Sequence, residues 1–145
     1  MFANSIHWLL STSTCYKYLM VTNGQTWERG DLFDPNCATR VILDRIGDKW
    51  TALVVLRLKD GPRRFTELRA GIGQVAPKVL TQTLRRLERD GLVTREVFAE
   101  VPPRVVYALT PMGESLIEPI TAVSNWAEEH LPAITQAQEK YDASA

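Results

Sequence analysis

The sequence predicts a mainly α fold with a small β-hairpin wing, a winged helix-turn-helix, on three observations. From Val75 to Gly91 (VAPKVLTQTLRRLERDG), Leu80, Leu84 and Leu87 recur at the i, i+4, i+7 spacing of one buried helix face. The stretch Gly71-Ile72-Gly73-Gln74 leads into that helix from a preceding one, and two helices joined by a short glycine-containing turn are the mark of a helix-turn-helix. After Gly91 the apolar period changes from about 3.6 to about 2, and two β-prone runs follow.

Taken in order, residues 1–34 are expected to form an N-terminal extension, flexible or packed on a partner subunit. Residues 2–21 have an apolar flavour, but the first cation is Lys17 and Ser and Thr interrupt the run, which is a poor secretory signal. Met20 offers an alternative start, and a helix packed on a partner is a third reading. Asn23 to Asp34 is turn-rich and polar and reads as a flexible lead-in. The domain itself is expected at residues 35–145.

Asp34-Pro35-Asn36 can start a first helix, whose face of Val41, Ile42, Leu43 and Ile46 runs to Gly47. Asp48 can cap a second, Lys49 to Lys59, with Trp50, Leu53, Val54, Leu56 and Leu58 supplying core, stopped by Asp60-Gly61-Pro62. Arg63-Arg64-Phe65 reads as a brief extended piece, and Thr66 as the cap of a third helix, Glu67 to Ala70, with Phe65 and Leu68 turned inward. In the fourth helix Pro77 suits the first turn, where its missing N–H costs nothing, and Gly91 suits the left-handed residue past the end. Leu92 to Phe98 and Val105 to Leu109 then read as strands, joined by Ala99-Glu100-Val101-Pro102-Pro103-Arg104, whose prolines force a loop. Thr110-Pro111 restarts a helix, expected over residues 110–131, which Pro119 should bend and Pro132 should break. Its stripe of Leu116, Ile120, Val123 and Ala127, broadened by Ile117, Trp126, Leu131 and Ile134, must be buried somewhere, and a second copy of the chain is the expected cover.

At 100° per residue, Lys78, Gln82, Arg85 and Arg89 fall opposite the leucines, with Thr81 and Arg86 on the flanks. Such a face suits a DNA major groove, and it equally describes an ordinary solvated helix. Regional charge separates the two readings better than the total. Formal net charge is zero, yet from Lys49 to Arg104 there are 12 Lys/Arg against 6 Asp/Glu, a net of +6, while the rest carries 5 against 11, a net of −6. A basic middle with an acidic periphery fits one face presented to phosphate. Arg95 and Arg104 lie on the wing, placed to reach phosphates beside a groove, whereas a plain hairpin closing a small core would explain the valines but not this order of elements.

Other classes find little support. With Cys15, Cys37, His7 and His130 alone, the chain offers no disulfide scaffold and no structural-zinc spacing, so no metal and no cofactor are expected. A metal sensor would rest on His130 beside Glu128 and Glu129, which reads better as a solvated helix end. An enzyme would rest on Cys37 and a distant His without a motif, so no catalysis is expected. No stretch approaches the roughly 18 apolar residues of a membrane span, and a reduced, cytoplasmic setting is the default.

The run Gly47-Asp48-Lys49-Trp50-Thr51, then Gly61 to Leu68 and Pro77 to Gln82, resembles HxlR-type bacterial transcriptional regulators of the MarR-like superfamily. So do Asp90 to Val93, Val101-Pro102-Pro103-Arg104-Val105, Tyr107 to Pro111 and Gly113, so that the likeness covers about Cys37 to Trp126. The resemblance implies a winged helix-turn-helix homodimer, paired through its N- and C-terminal helices, that binds inverted-repeat double-stranded DNA and responds in some members to an oxidant or small-molecule effector. It maps Lys78, Thr81, Gln82 and Arg85 onto groove-facing positions, and Arg64 and Arg104 onto backbone-contacting ones; Arg89 and Arg95 complete the candidate set. Cys37 falls where the family often carries its N-terminal cysteine, a redox-sensing candidate whose plainer alternative is an inert buried thiol. Three departures stand out: Ala76 in place of a serine cap, Val106 in place of a glutamate on the second wing strand, and Ala38 in place of the proline after the cysteine. A winged-helix protein-interaction module without specific DNA binding is the alternative function.

Overall fold

The computed structural model describes residues 18–22, 25–29, 32–35, 37–73 and 75–145. Residues 1–48 and 49–145 form two units.

In the first unit, β1 (Tyr18–Thr22) pairs antiparallel with β2 (Gln25–Arg29), Tyr18 opposite Arg29 and Thr22 opposite Gln25. The flexible lead-in expected from Asn23 is thereby corrected for Gln25–Arg29, and the helix offered as a third reading of the N-terminal stretch does not hold from Tyr18 on, which is strand. Residues 1–17, with Cys15 and His7, lie outside the described residues. Helix α1 (Ala38–Ile46) begins later than Asp34-Pro35-Asn36 suggested, with Cys37 at its N-cap position. Val41, Ile42 and Leu43 on it are exposed.

In the second unit, α2 (Lys49–Leu58) buries Thr51, Val54, Val55 and Leu58; of the expected set Val54 and Leu58 are buried and Trp50 packs against the core, while Leu53 is exposed. Two residues of β3 (Arg63–Arg64) then join the edge of a sheet ordered β3-β5-β4, the strands β4 (Val93–Phe98) and β5 (Arg104–Leu109) forming the hairpin. Helix α3 (Phe65–Ile72) is longer than expected at both ends, and its N-cap is Arg64, not Thr66. The Arg64 N–H donates to Glu67 Oε2 at 2.7 Å, so Glu67 reaches back across the first turn, and the pairing of β3 holds Arg64 extended just before the helix. Gly73, with φ of +72°, ends α3, and Arg69 Nε donates to Val75 O at 3.4 Å across the turn into α4 (Pro77–Arg89).

The core gathers Val54, Leu58, Leu68, Val75, Leu80, Leu84, Leu87, Leu92 and Val93 from α2, α3, α4 and the root of the wing. Leucines on α4 are nearly sealed, with Leu80 at 0% and Leu84 at 1% exposure, so the helix cannot roll without opening the core. At its C-terminus Gly91 adopts φ of +72°, Gly91 N–H donates to Glu88 O and Leu92 N–H to Leu87 O, the paired bonds of a Schellman ending. Thr110 fastens that ending. Its backbone N–H donates to Leu92 O at 3.1 Å, its hydroxyl donates to Gly91 O at 2.6 Å, and the same oxygen accepts from Gly113 N at 3.0 Å to cap α5 (Pro111–Glu114).

The C-terminal helix departs most from expectation. Instead of running 110–131, it is interrupted at Ser115-Leu116 and then continues as α6 (Ile117–Ser144) straight through Pro132. Pro119 lies in the first turn of α6, where a proline fits. Pro132 costs one backbone bond and roughly 3 kcal/mol, but the 28-residue helix supplies strong helix formers on both sides, among them Ala127, Glu128 and Leu131 before it and Ala133, Ala137 and Lys140 after it. Ile120 is buried, whereas Val123, Trp126, Leu131 and Tyr141 are exposed. Among the described residues no helix is long and apolar enough to cross a membrane.

Candidate nucleic-acid interface

Helix α4 separates its two chemistries cleanly. Leu80, Leu84, Leu87 and Thr83 are buried, and Lys78, Gln82, Arg85, Arg86 and Arg89 are exposed. Its start is bare. Ala76 has the extended backbone of a cap, φ of −63° and ψ of 136°, but gives no side-chain hydrogen bond. Thr81 donates its hydroxyl to Pro77 O at 2.8 Å, which fixes its rotamer and leaves the oxygen able to accept.

Two elements bring part of the expected set together. Thr81, Arg85 and Glu88, on one flank of α4, line a cleft with Arg95 of β4 and Tyr107 of β5. Register explains the wing's share, since Arg95 and Tyr107 are directly opposed across the ladder. Lys78, Gln82 and Arg89 lie on the outer face away from that cleft by helical geometry. Arg85, Arg89 and Arg95 make no ion pair among the described residues, so their donors are open to a partner.

Arg64 is exposed on the edge strand, opposite Val106 of β5, which in turn is opposite Glu96 of β4. A glutamate at 106 would stand next to Arg64; valine leaves that guanidinium without a cross-strand carboxylate. Arg104 is engaged rather than free. Its Nε and Nη2 lie 3.0 and 2.9 Å from Glu100 Oε1, and its guanidinium carbon is 4.0 Å from the centre of the Phe98 ring.

Sequence reasoning missed Glu88, Tyr107 and Glu100 as neighbours of the basic residues. Glu88 was within reach of helical spacing, three residues after Arg85 and seven after Thr81. Tyr107 needed the strand register and Glu100 the loop conformation, and neither shows in a linear pattern.

Cys37 is a buried free thiol at the start of α1, its N–H donating to Asp34 O at 3.0 Å and its carbonyl accepting from Arg40 N at 3.0 Å. His130 is committed locally: its ring stacks on Trp126 with centroids 4.6 Å apart, and its Nδ1 lies 2.8 Å from Trp126 O. Among the described residues no group of three or more His, Cys, Asp or Glu side chains is placed to hold a metal ion.

A family model described as HxlR-like helix-turn-helix matches residues 45–135. The HTH-type transcriptional regulator YtfH of Escherichia coli strain K12 is 37% identical over 120 residues, covering 83% of this chain and 95% of the relative. Among solved structures, the YtfH protein of Salmonella typhimurium, named as a transcriptional regulator, superposes with a TM-score of 0.72 at 38% identity, covering 77% of this chain and 99% of its own. The redox regulator HypR in its reduced form gives a TM-score of 0.63 at 36% identity, covering 68% of this chain and 97% of its own.

Proposed function

Because this chain belongs to the HxlR-like helix-turn-helix family of transcriptional regulators, we propose that it binds inverted-repeat double-stranded DNA as a homodimer in the cytoplasm, with α4 in the major groove. The observation that carries this reading is the division of α4: leucines locked in the core on one side, and Lys78, Gln82, Arg85 and Arg89 exposed on the other. Arg85 has the donor fork for a bidentate contact to guanine, and Gln82 the amide for adenine. Lys78, Thr81 and Arg89 extend the groove face, and Arg64, Arg95 and Arg104 serve backbone phosphates, which position the protein without reading sequence. No catalysis belongs to this reading.

Exposed apolar side chains among the described residues support the homodimer: Val123, Trp126, Leu131 and Tyr141 on α6, and Val41, Ile42 and Leu43 on α1. Two-fold symmetry then sets the two copies of α4 one DNA turn apart, about 34 Å. Selection from a random duplex library by the purified protein, followed by sequencing, tests the reading. Enrichment of an inverted repeat with half-sites one turn apart is expected; a pool that stays unenriched would refute it.

Likeness to the redox regulator HypR supports a second component, in which oxidation or alkylation of Cys37 alters DNA affinity. The thiol is buried, so a reagent reaches it only when the start of α1 opens. Unchanged affinity after peroxide or quinone treatment, and in Cys37→Ser, would remove that component.

A further inference from the structure

Five residues, Ala99 to Pro103, join β4 to β5 at the tip of the wing. Phe98 and Arg104 are the last register partners before the loop, and the Arg104 guanidinium lies over the Phe98 ring while both its Nε and Nη2 meet Glu100 Oε1. Ring and carboxylate thus hold the guanidinium from two sides. The two side chains are 31% and 51% exposed, so the pair sits at the surface, where a second anion can approach. Arg85, Arg89 and Arg95, by contrast, make no ion pair among the described residues.

A carboxylate and a phosphodiester offer the guanidinium the same chemistry, anionic oxygens that accept its N–H groups. We propose that Glu100 is an internal competitor for DNA phosphate: it occupies Arg104 in the free protein and is exchanged for a backbone phosphate when DNA arrives. The inference rests on the DNA-binding reading above. Held this way, Arg104 stands in a defined rotamer on Phe98, so little side-chain freedom is lost when it meets phosphate. The cost is that Glu100 cancels the wing tip's charge until the exchange occurs, which weakens the contact below what a free arginine gives. Exposed pairs of this kind are weak, so the exchange is easily reversed.

The test uses the full chain and its Glu100→Gln, Arg104→Ala and doubly substituted forms. Binding to a fluorescent random-sequence duplex is followed by anisotropy across a series of sodium chloride concentrations, with a thermal melt of each protein alongside. Glu100→Gln is expected to bind roughly 1.5- to 5-fold more tightly per wing, with a salt slope steeper by up to about 0.9 per wing. In the Arg104→Ala background most of that gain should vanish, because the two substitutions act through one contact. Glu100→Asp, which keeps the charge but shortens the arm, should recover part of the gain. Weaker or unchanged binding by a folded Glu100→Gln protein overturns the exchange, as does a gain that persists in full without Arg104. Absence of salt-dependent binding by the unsubstituted protein would overturn the DNA-binding reading itself, and the exchange with it.

Discussion

Replacing Ala76 with serine adds a cap to a helix that starts without one. The first intrahelical bond of α4 is Leu80 N–H to Ala76 O at 3.1 Å, so the N–H groups before Leu80 have no helical acceptor. Pro77 has no N–H, which leaves those of Lys78 and Val79. Ala76 already holds an extended backbone, φ of −63° and ψ of 136°, so a serine there needs no rearrangement to aim its oxygen at either group. A cap of this kind contributes about 1 kcal/mol, within a range of roughly 0.5 to 2. For a domain of this size that raises the melting temperature by about 4 °C. Thermal melts followed by circular dichroism at fixed protein concentration, without DNA, measure it, and glycine at 76 should recover part of the same gain. A melting temperature for the serine protein within a degree of the parent's would refute the argument that those two N–H groups lack a partner worth supplying.

Arg85→Ala should lose preference for the selected repeat over a scrambled duplex, while Arg104→Ala should weaken both by a similar factor; competition isotherms on the two duplexes distinguish them. Gly113→Ala should destabilise the protein by about 3 kcal/mol, since a Cβ there would clash with the Leu92 carbonyl oxygen, a backbone atom fixed by the Thr110 bond; a urea titration reads it. Val106→Glu should draw Arg64 into a cross-strand pair and lower affinity for a random-sequence duplex severalfold, measured by anisotropy at low salt.

What the sequence disclosed follows from how local each signal was. The limits of α4 were legible because Pro77 and Gly91 act through their own backbone chemistry, and its buried face because leucines at 3.6 spacing need no tertiary knowledge. The cap of α3 was misplaced because Arg64 is held extended by β5, some forty residues later in the chain. Pro132 was read as a break from its own propensity, and the summed preference of a long helix outweighed it. On the candidate interface, helical angles put Lys78, Gln82 and Arg89 outward, but only the strand register set Arg95 beside Arg85, and only the loop conformation tied Arg104 to Glu100.

Thr110 joins three pieces of machinery through a single side chain and its backbone. The terminus of α4, the root of the wing and the first turn of α5 meet there, at Gly91 O, Leu92 O and Gly113 N. No slack separates them, since buried Gly113 has no room for even a methyl group. In the proposed dimer this residue is therefore a rivet between the groove-facing helix and the pairing helix. A shift of α6 that drags α5 would have to carry α4 with it or break one of these hydrogen bonds.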